Sequence, residues 1–401
     1  MAAAVRFHRT GGPDVLVVDD VPPPEPGPGQ VRLAVVAAGV NPVECRIRRG
    51  EVPLDGAGPW GLGTDVAGVV DAVGDGGSPH ARHVGGVLGS GGAGGSPHAV
   101  GLHRPTGATG SGGATVGAEG VAGAEGVAGA EGVAGAEGAA CGAGAAGVGG
   151  AGGVAFGAED AQGVGGAAGA AFAVGDAVLG RALGGAYAEY ALADVVDLLP
   201  KPAALPWDVA ASVAISGETA YRTLGLLGVT ALGGTLLVHG ASGGVGALAT
   251  QLAVLGGARV IGTAGPSNLD RVRALGAEPV AYGPGWAERV RALAPDGVDA
   301  VLDTAGADVL GESVALAGGP ERVVTIADRR RAAEHAVTYS RGLVARTPMA
   351  EAFAELLPAL VDGRLTVHVA HRLPLAEAAR AHRISEAGHP GGRIVLTVRD
   401  P

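Results

Sequence analysis

The sequence has few cysteines and no long run of large apolar side chains, and both absences exclude classes of protein. Of 401 residues only two are cysteine, Cys45 and Cys141, too few for a disulfide framework or a four-thiolate zinc site. The first ten residues contain no apolar run of signal-peptide length. The uncharged run of residues 138–158 is almost all glycine and alanine, which gain little from hydrocarbon. We therefore expect a cytoplasmic protein without a membrane span.

Positive charge is also scarce. Acidic residues outnumber Lys and Arg by 39 to 28, which gives a net charge of −11. Nucleic acid and anionic lipid both require a basic surface, so neither is expected as the main partner. A small-molecule substrate fits this composition better.

Glycine is abundant, but it is concentrated in one segment. By a count along the sequence, residues 75–170 hold 34 of the 76 glycines. From Gly117 to Gly138 glycine recurs at every third position, in repeats of Gly-Ala-Glu-Gly-Val-Ala. Such glycine density disfavours a helix, and the run has no proline to support a collagen helix. We expect residues 75–171 to be a disordered low-complexity insertion whose four histidines, His80, His83, His98 and His103, lack metal-ligand spacing.

Short β-type runs flank this segment. They are residues 15–18, 31–36, 63–73, 172–179 and 186–192. Gly68 lies inside the third run and marks a bulge or a close backbone approach. The pattern predicts a β-rich, barrel-like domain with a long insertion in one loop.

From residue 207 the hydrophobic pattern alternates between helices and strands. Helices are predicted over residues 209–227, 246–255, 268–275 and 288–293, and strands over residues 235–239, 259–262, 278–282 and 298–303. Such alternation is typical of parallel βαβ units. The tail, residues 361–398, returns to strands with one helix and is expected to rejoin the first domain.

A glycine-rich turn between a predicted strand and a predicted helix carries the clearest functional signal. Glycines at 240, 243 and 246 permit a tight turn, close approach of a pyrophosphate, and helix–sheet packing. The amides at the helix start bind the anion. The candidate cofactor residues of this turn are Gly240, Ala241, Ser242, Gly243, Gly244, Val245 and Gly246.

The residues after the second strand of this unit favour NADPH over NADH. NAD-selective folds place an acidic residue there for the ribose 2′-hydroxyl, but no acid precedes Asp270. Thr263 and Ser267 can donate hydrogen bonds to a 2′-phosphate, and Arg271 or Arg273 can supply charge. The alternative for Arg271 is a solvated helix residue.

The chain resembles the medium-chain dehydrogenase/reductase superfamily, and most closely its zinc-free quinone oxidoreductase branch. The resembling segments are residues 6–16, 26–31, 38–42, 63–70, 172–176, 184–190, 217–222, 238–246 and 382–396. They cover nearly all of the chain outside the glycine-rich segment, which typical members lack.

This resemblance implies an α/β protein in which a GroES-like catalytic domain is joined to a Rossmann domain with a doubly wound parallel sheet. The active site would lie in the cleft between them. The expected divisions are residues 1–74 and 172–206 for the catalytic domain, 75–171 for the insertion, 207–343 for the Rossmann domain and 344–401 for the return. A homodimer is also expected from the family.

The resemblance also implies roles for single residues. Zinc-dependent relatives have catalytic ligands where this chain has Asn41 and Thr64, neither of which ligates zinc well. Asn41 would instead be a catalytic residue facing the nicotinamide ribose or the substrate. Thr219 would face the nicotinamide, and Tyr282 would lie near the adenosine phosphate; the alternative for Tyr282 is a tyrosine that merely ends a strand. Arg46 stands where some members have a tyrosine, which leaves the proton donor unassigned.

Without a metal to polarise a carbonyl, hydride transfer is expected to acceptors that are already electron-poor. We therefore expect a zinc-independent reductase that uses NADPH to reduce quinones or α,β-unsaturated carbonyls. One alternative is an enoyl-thioester reductase, in which Arg46, Arg48 and Arg49 would form a basic entrance, although a solvated basic turn also fits these residues. Another is a non-catalytic NADP(H)-binding sensor.

Overall fold

A computed structural model describes residues 1–54, 56–74, 172–228, 233–340, 348–388 and 390–400. All of them belong to one compact unit; the second unit, Ser90–Gly152, lies outside the described residues. The expected disorder of residues 75–171 therefore concerns a part of the chain that the structure does not describe. None of the helices in the described ranges is long and apolar enough to cross a membrane.

The first half is built from β-strands, which the tail of the chain rejoins. The strands are β1 (Ala2–Phe7), β2 (Leu16–Val21), β3 (Gln30–Val40), β4 (Trp60–Gly61), β5 (Asp65–Val73), β6 (Ala177–Arg181), β7 (Tyr190–Asp194), β8 (Leu198–Pro200), β15 (Val369–Pro374) and β16 (Arg393–Thr397). The helices are α1 (Pro42–Arg49) and α10 (Ala378–Glu386). The larger sheet has the order β15-β16-β3-β5-β6-β8, and the smaller sheet has the order β2-β1-β4.

Strand β3 organises the larger sheet because it has three partners. Its first half pairs with β7, its second half with β16, and most of its length with β5. A register shift between Val35 and Ala37 lies opposite Gly68, where a Cβ would stand 2.5 Å from the carbonyl oxygen of Ala34. The close approach predicted at Gly68 is confirmed. The alternating apolar residues of β3, such as Val31 and Leu33, fill the core of this half.

The second half has strands β9 (Thr235–His239), β10 (Arg259–Ala264), β11 (Glu278–Ala281), β12 (Ala300–Asp303), β13 (Val323–Thr325) and β14 (Thr338–Tyr339). Its helices are α2 (Trp207–Ala210), α3 (Ala214–Leu227), α4 (Gly244–Leu255), α5 (Leu269–Ala274), α6 (Trp286–Leu293), α7 (Leu310–Ala317), α8 (Arg329–Glu334) and α9 (Met349–Val361). All strands are parallel, in the order β11-β10-β9-β12-β13-β14.

This strand order is the doubly wound 3-2-1-4-5-6 order of a Rossmann domain. The order reverses between β9 and β12, and ligands of such sheets bind in the crevice at the carboxyl ends of the strands there. The predicted fold class, a GroES-like domain with a Rossmann domain, is therefore confirmed. Helix α9 packs against α3 on the Rossmann side before the chain returns to the catalytic domain at β15.

Candidate functional site

The glycine-rich turn joins β9 to α4 at the switch point of the Rossmann sheet. Gly240 has a φ of 74°, which favours glycine, and a Cβ at Gly246 would stand 2.2 Å from the carbonyl oxygen of Gly240. Gly243 is the N-cap of α4, and no side chain in the described part of the chain caps its first turn. The first amides of α4 are thus available to an anion.

A buried hydrogen-bond network supports the turn from below. The hydroxyl of Ser313 donates its hydrogen bond to the carbonyl oxygen of Val309. His239 Nε2 therefore donates to Ser313 Oγ, over 3.0 Å. His239 Nδ1 therefore accepts from Thr263 Oγ1 over 3.1 Å, and the same oxygen lies 3.4 Å from the amide of Gly240. Burial lowers the pKa of His239 to about 4, so the ring is neutral at physiological pH.

Thr263 consequently lies beneath the turn rather than at its surface. The side chain is 3% exposed, and its hydroxyl is engaged by His239 and Gly240. This arrangement supports the loop directly. The sequence-based expectation that Thr263 donates a hydrogen bond to a 2′-phosphate stays a prediction.

A pocket of about 450 Å³ opens at the carboxyl edge of the sheet, on the α6–α7 side. Among the residues lining it are His239, Tyr282, Pro284, Trp286 and Val309. The ring of Trp286 packs edge-on to His239, with centroids 4.6 Å apart. In size and apolar character the pocket suits a flat aromatic ring such as an adenine.

The residues predicted to meet a 2′-phosphate lie around the end of β10. A Cβ at Gly265 would stand 3.2 Å from the ring of Tyr282, so glycine allows the tyrosine to cover this edge. Ser267 is exposed, and Arg271 is half-buried. Arg271 donates to the carbonyl oxygen of Gly391, which joins α5 to the loop before β16. That Ser267, Arg271 and Tyr282 bind the coenzyme stays a prediction.

Thr219 lies on the opposite side of the switch point, in α3. It is 8% exposed, and its hydroxyl is 3.5 Å from a carboxylate oxygen of Glu218. Glu218 forms a buried ion pair with Arg222 over 2.8 Å, and Arg222 donates to Ser340 at the end of β14. Residues 341–347 follow directly and lie outside the described residues.

Between the two halves lies a buried ionic cluster that the sequence analysis did not assign. Arg393 Nη2 donates to Asp65 Oδ2 over 2.8 Å and to Asn41 Oδ1 over 2.9 Å. Asp65 is fully buried and also accepts the backbone amide of Ile215, at the start of α3, over 2.7 Å. Asp65 therefore links elements of both domains.

Arg393 also lies beside the start of α4. Its Nη1 lies 2.8 Å from where a Cβ of Gly244 would stand, at the N-terminus of α4, and its Nε has no hydrogen-bond partner among the described residues. The glycine cradle and this orphaned donor together fit a dinucleotide diphosphate.

The positions at which zinc-dependent relatives would bind metal hold another arrangement. The amide of Asn41 is hydrogen-bonded to Arg393 and Asp65, and the carbonyl of Thr64 accepts the amide of Ala182. Within the described residues, no three His, Cys, Asp or Glu side chains group together as a metal site would require. The donor set at Asn41 and Thr64, an amide and a hydroxyl, suits zinc poorly.

Glu44 completes this cluster as the capping-box partner of Asn41. Its carboxylate accepts the backbone amide of Asn41 over 2.5 Å. Burial, and then the neighbouring Asp65, raise the pKa of Glu44 to about 8. Arg393 supplies one positive charge for two buried carboxyl groups, so a neutral Glu44 balances the cluster.

The basic entrance considered for a thioester substrate is not present in the expected form. Arg48 is fully buried and paired with Glu386. Arg46 and Arg49 each pair with Glu51, and Arg49 also pairs with Glu386. Spacing along the sequence alone could not show that helix α1 turns Arg48 inward.

These features define a two-domain dehydrogenase with a nucleotide-binding switch point facing a GroES-like domain. A family model described as an alcohol dehydrogenase GroES-like domain matches residues 27–95, and one described as a zinc-binding dehydrogenase matches residues 275–396. The chain belongs to the medium-chain dehydrogenase/reductase superfamily, an oxidoreductase family, and is quinone oxidoreductase-like.

Individual relatives have low sequence identity to this chain, but their names agree with the family. A human quinone oxidoreductase is 28% identical over 65% of the chain, a match spanning only about half of that protein, 52%. A rat quinone oxidoreductase is 26% identical over 98% of the chain and 97% of its own length. A mycobacterial protein solved in complex with NADPH is 26% identical, with a TM-score of 0.65 and coverage of 99% of this chain and 100% of that one.

Proposed function

We propose that this protein is an NADPH-dependent, zinc-independent reductase of quinones or α,β-unsaturated carbonyls. The observation that carries the proposal is Arg393, a buried guanidinium whose Nη1 lies beside Gly244 at the N-terminus of α4 and whose Nε has no hydrogen-bond partner among the described residues. The relative solved with NADPH supports the choice of coenzyme. The amide and hydroxyl at Asn41 and Thr64 support a reaction without a catalytic metal.

The chain's own residues would bind and orient the coenzyme. The first amides of α4 and Arg393 would hold the diphosphate, while Ser267, Arg271 and Tyr282 would meet the 2′-phosphate. Arg271 would exchange the carbonyl of Gly391 for the phosphate. The reduced nicotinamide supplies a hydride when bound, and Thr219 would position that end of the coenzyme.

Electron-poor acceptors fit this cleft better than simple ketones do. Reducing a ketone needs an electrophile to stabilise the developing alkoxide, and a metal contributes several kcal/mol there. Arg393 is committed to Asp65 and Asn41 and faces the helix terminus. Quinones and enones need mainly correct placement against the coenzyme, which the two-domain cleft supplies.

The enoyl-thioester alternative is less favoured, because Arg48 is buried and both Arg46 and Arg49 are ion-paired. A coenzyme A substrate would need free positive charge at the entrance. The cytoplasmic location, the small-molecule substrate and the homodimer remain predictions.

The proposal is tested by following oxidation of NADPH and NADH with a panel of quinones, enones, ketones and enoyl-CoA, and by measuring metal content on the same sample. We expect turnover of quinones or enones with NADPH in a preparation without stoichiometric zinc. Ketone reduction with stoichiometric zinc would refute the metal-free reaction. Tight NADPH binding without turnover on any acceptor would instead favour the sensor.

A further inference from the structure

The side chain of Asn41 is almost fully occupied by contacts inside the protein. Its Oδ1 accepts from Arg393 over 2.9 Å, and its Nδ2 donates to Asp65 over 3.2 Å and lies 3.4 Å from Glu44 Oε1. The residue is 5% exposed. An amide offers two N–H groups and two lone pairs, and three of these four are taken. Asn41 therefore has little hydrogen-bonding capacity left for a ribose or a hydride acceptor.

Arg393 is held on one side only. Asn41 and Asp65 both bind Nη2, whereas Nη1 lies beside the start of α4, 2.8 Å from where a Cβ of Gly244 would stand. The guanidinium is planar, so fixing one nitrogen with two acceptors fixes the direction of the other two. The cluster thus holds Nη1 of Arg393 beside the N-terminus of α4.

We propose that Asn41 is a positioning residue, which acts on the coenzyme only through Arg393 and contacts neither the nicotinamide ribose nor the acceptor. The inference rests on the proposed dinucleotide function. It assigns Asn41 to diphosphate binding rather than to the reacting end of the cleft.

The chemistry explains why an amide stands at this position. Asparagine accepts from Arg393 while it donates to Asp65, so it satisfies opposite charges at once. Aspartate would accept from Arg393 but would place a third carboxyl group beside Glu44 and Asp65. Leucine would leave groups of Asp65 and Arg393 unpaired in a region closed to water.

The probe that separates the two roles is ADP, which carries a diphosphate but no second ribose and no nicotinamide. Dissociation constants for ADP and for NADPH would be measured on the full-length protein and on Asn41→Leu, Arg393→Met and the double variant. We expect Asn41→Leu to weaken ADP and NADPH equally, about tenfold, with kcat at saturating NADPH within about threefold. The double variant should bind no more weakly than Arg393→Met alone.

Thr250→Val serves as the matched control. Thr250 lies in α4, is fully buried, and its hydroxyl has no partner in the described part of the chain. Both dissociation constants should stay unchanged. If Asn41→Leu does not fold, as judged by thermal unfolding, Asn41→Asp replaces it. Aspartate keeps the shape of the side chain but replaces the N–H group that donates to Asp65 by a carboxylate oxygen, which Asp65 repels.

Weakened NADPH binding with unchanged ADP binding would overturn the inference, since Asn41 would then meet the nicotinamide half. Additive losses in the double variant would overturn it as well. A wild-type protein that binds neither ADP nor NADPH would refute the proposed function itself. Normal wild-type binding with no effect of Asn41→Leu would refute this inference alone.

Discussion

At residue 246 the cofactor turn has no room for even a methyl group. A Cβ there would meet backbone on both sides, 2.2 Å from the carbonyl oxygen of Gly240 and 3.1 Å from the Cα of Ala241. Overpacking of this kind costs about 1–3 kcal/mol. We expect Gly246→Ala to lower the unfolding free energy by that amount and NADPH affinity at least tenfold, measured by thermal unfolding and by titration.

Gly225→Ala is the control for that substitution. Gly225 lies within α3, has no positive φ, and has open space where its Cβ would stand. Alanine there should leave NADPH binding unchanged and raise stability by up to about 1 kcal/mol. Normal NADPH affinity in Gly246→Ala would contradict the assignment of this turn to the diphosphate.

Arg271 is expected to discriminate between the two coenzymes. Its half-buried guanidinium lies in α5, the helix that follows the end of β10, so in the proposed complex Arg271→Gln should remove a charge-assisted bond to the 2′-phosphate. Such bonds contribute about 1.5–3 kcal/mol, which corresponds to roughly 10- to 100-fold in kcat/KM for NADPH. The value for NADH should not change. Steady-state kinetics with both coenzymes measure the effect.

Arg273→Gln is matched to it, because Arg273 lies on the same helix but is 63% exposed and pairs with Asp270. It should alter neither coenzyme's kcat/KM. An equal loss for NADPH and NADH in Arg271→Gln would instead show that Arg271 holds the two domains together through Gly391.

Helix α1 contains a group whose protonation should control stability. The pKa of Glu44 is about 8 in the folded protein, against an ordinary value of 4.5. Between pH 4.5 and 8 the carboxyl group of Glu44 therefore keeps its proton in the folded state and has lost it in the unfolded state. Stability falls as pH rises through this window, by up to about 5 kcal/mol.

Glu44→Gln removes that proton release. We expect the melting temperature of the variant to be equal to or lower than that of the wild type near pH 5, and higher than that of the wild type at pH 9. Glu351→Gln, at an exposed position in the first turn of α9, should show no such pH-dependent difference. A parallel pH profile for wild type and Glu44→Gln would mean that Glu44 is ionised in the folded state.

The elements that sequence patterns predicted best are those with strong local signals. The alternation from residue 235 to 303 was confirmed as β9 to β12 with the intervening helices, because each apolar strand is bounded by glycine or a helix start. Strand β1 was missed, since Ala2-Ala-Ala-Val has low β propensity and is ordered by pairing with β2. No element was assigned between residues 304 and 360, which contain helices α7, α8 and α9 and the strands β13 and β14, each only two or three residues long.

In the candidate site, too, the sequence could predict local features but not contacts between distant residues. The glycine turn is local, so a short motif was enough to find it. The contacts of Arg393 with Asn41 and Asp65 join residues 352 and 328 positions apart, which no local pattern can show. The one available signal was the presence of charged residues in otherwise apolar strands, Asp65 opening β5 and Arg393 opening β16.

At the scale of the whole molecule, the glycine-rich segment is attached at the end of β5 that lies far from Asp65. Strand β5 begins at Asp65 in the cluster and ends at Val73, eight steps or ~26 Å away. Its neighbour β6 is antiparallel to it, and the amide of Gly175 donates to the carbonyl of Val70 over 2.9 Å. Both attachment points of residues 75–171 thus lie at the end of a single antiparallel hairpin, away from the site.

A four-residue turn in place of residues 75–171 should therefore leave the enzyme intact. Closing a short loop instead of a long one lowers the entropy cost of folding by up to about 3 kcal/mol, so stability should stay equal or rise. Because Asp65, Arg393 and the glycine turn are unaffected, kcat/KM for NADPH should stay within about threefold. A variant with the same number of residues in a Gly/Ser sequence separates the effect of length from that of sequence. A folded deletion variant with no activity, restored only by the native segment, would show that the insertion takes part in catalysis.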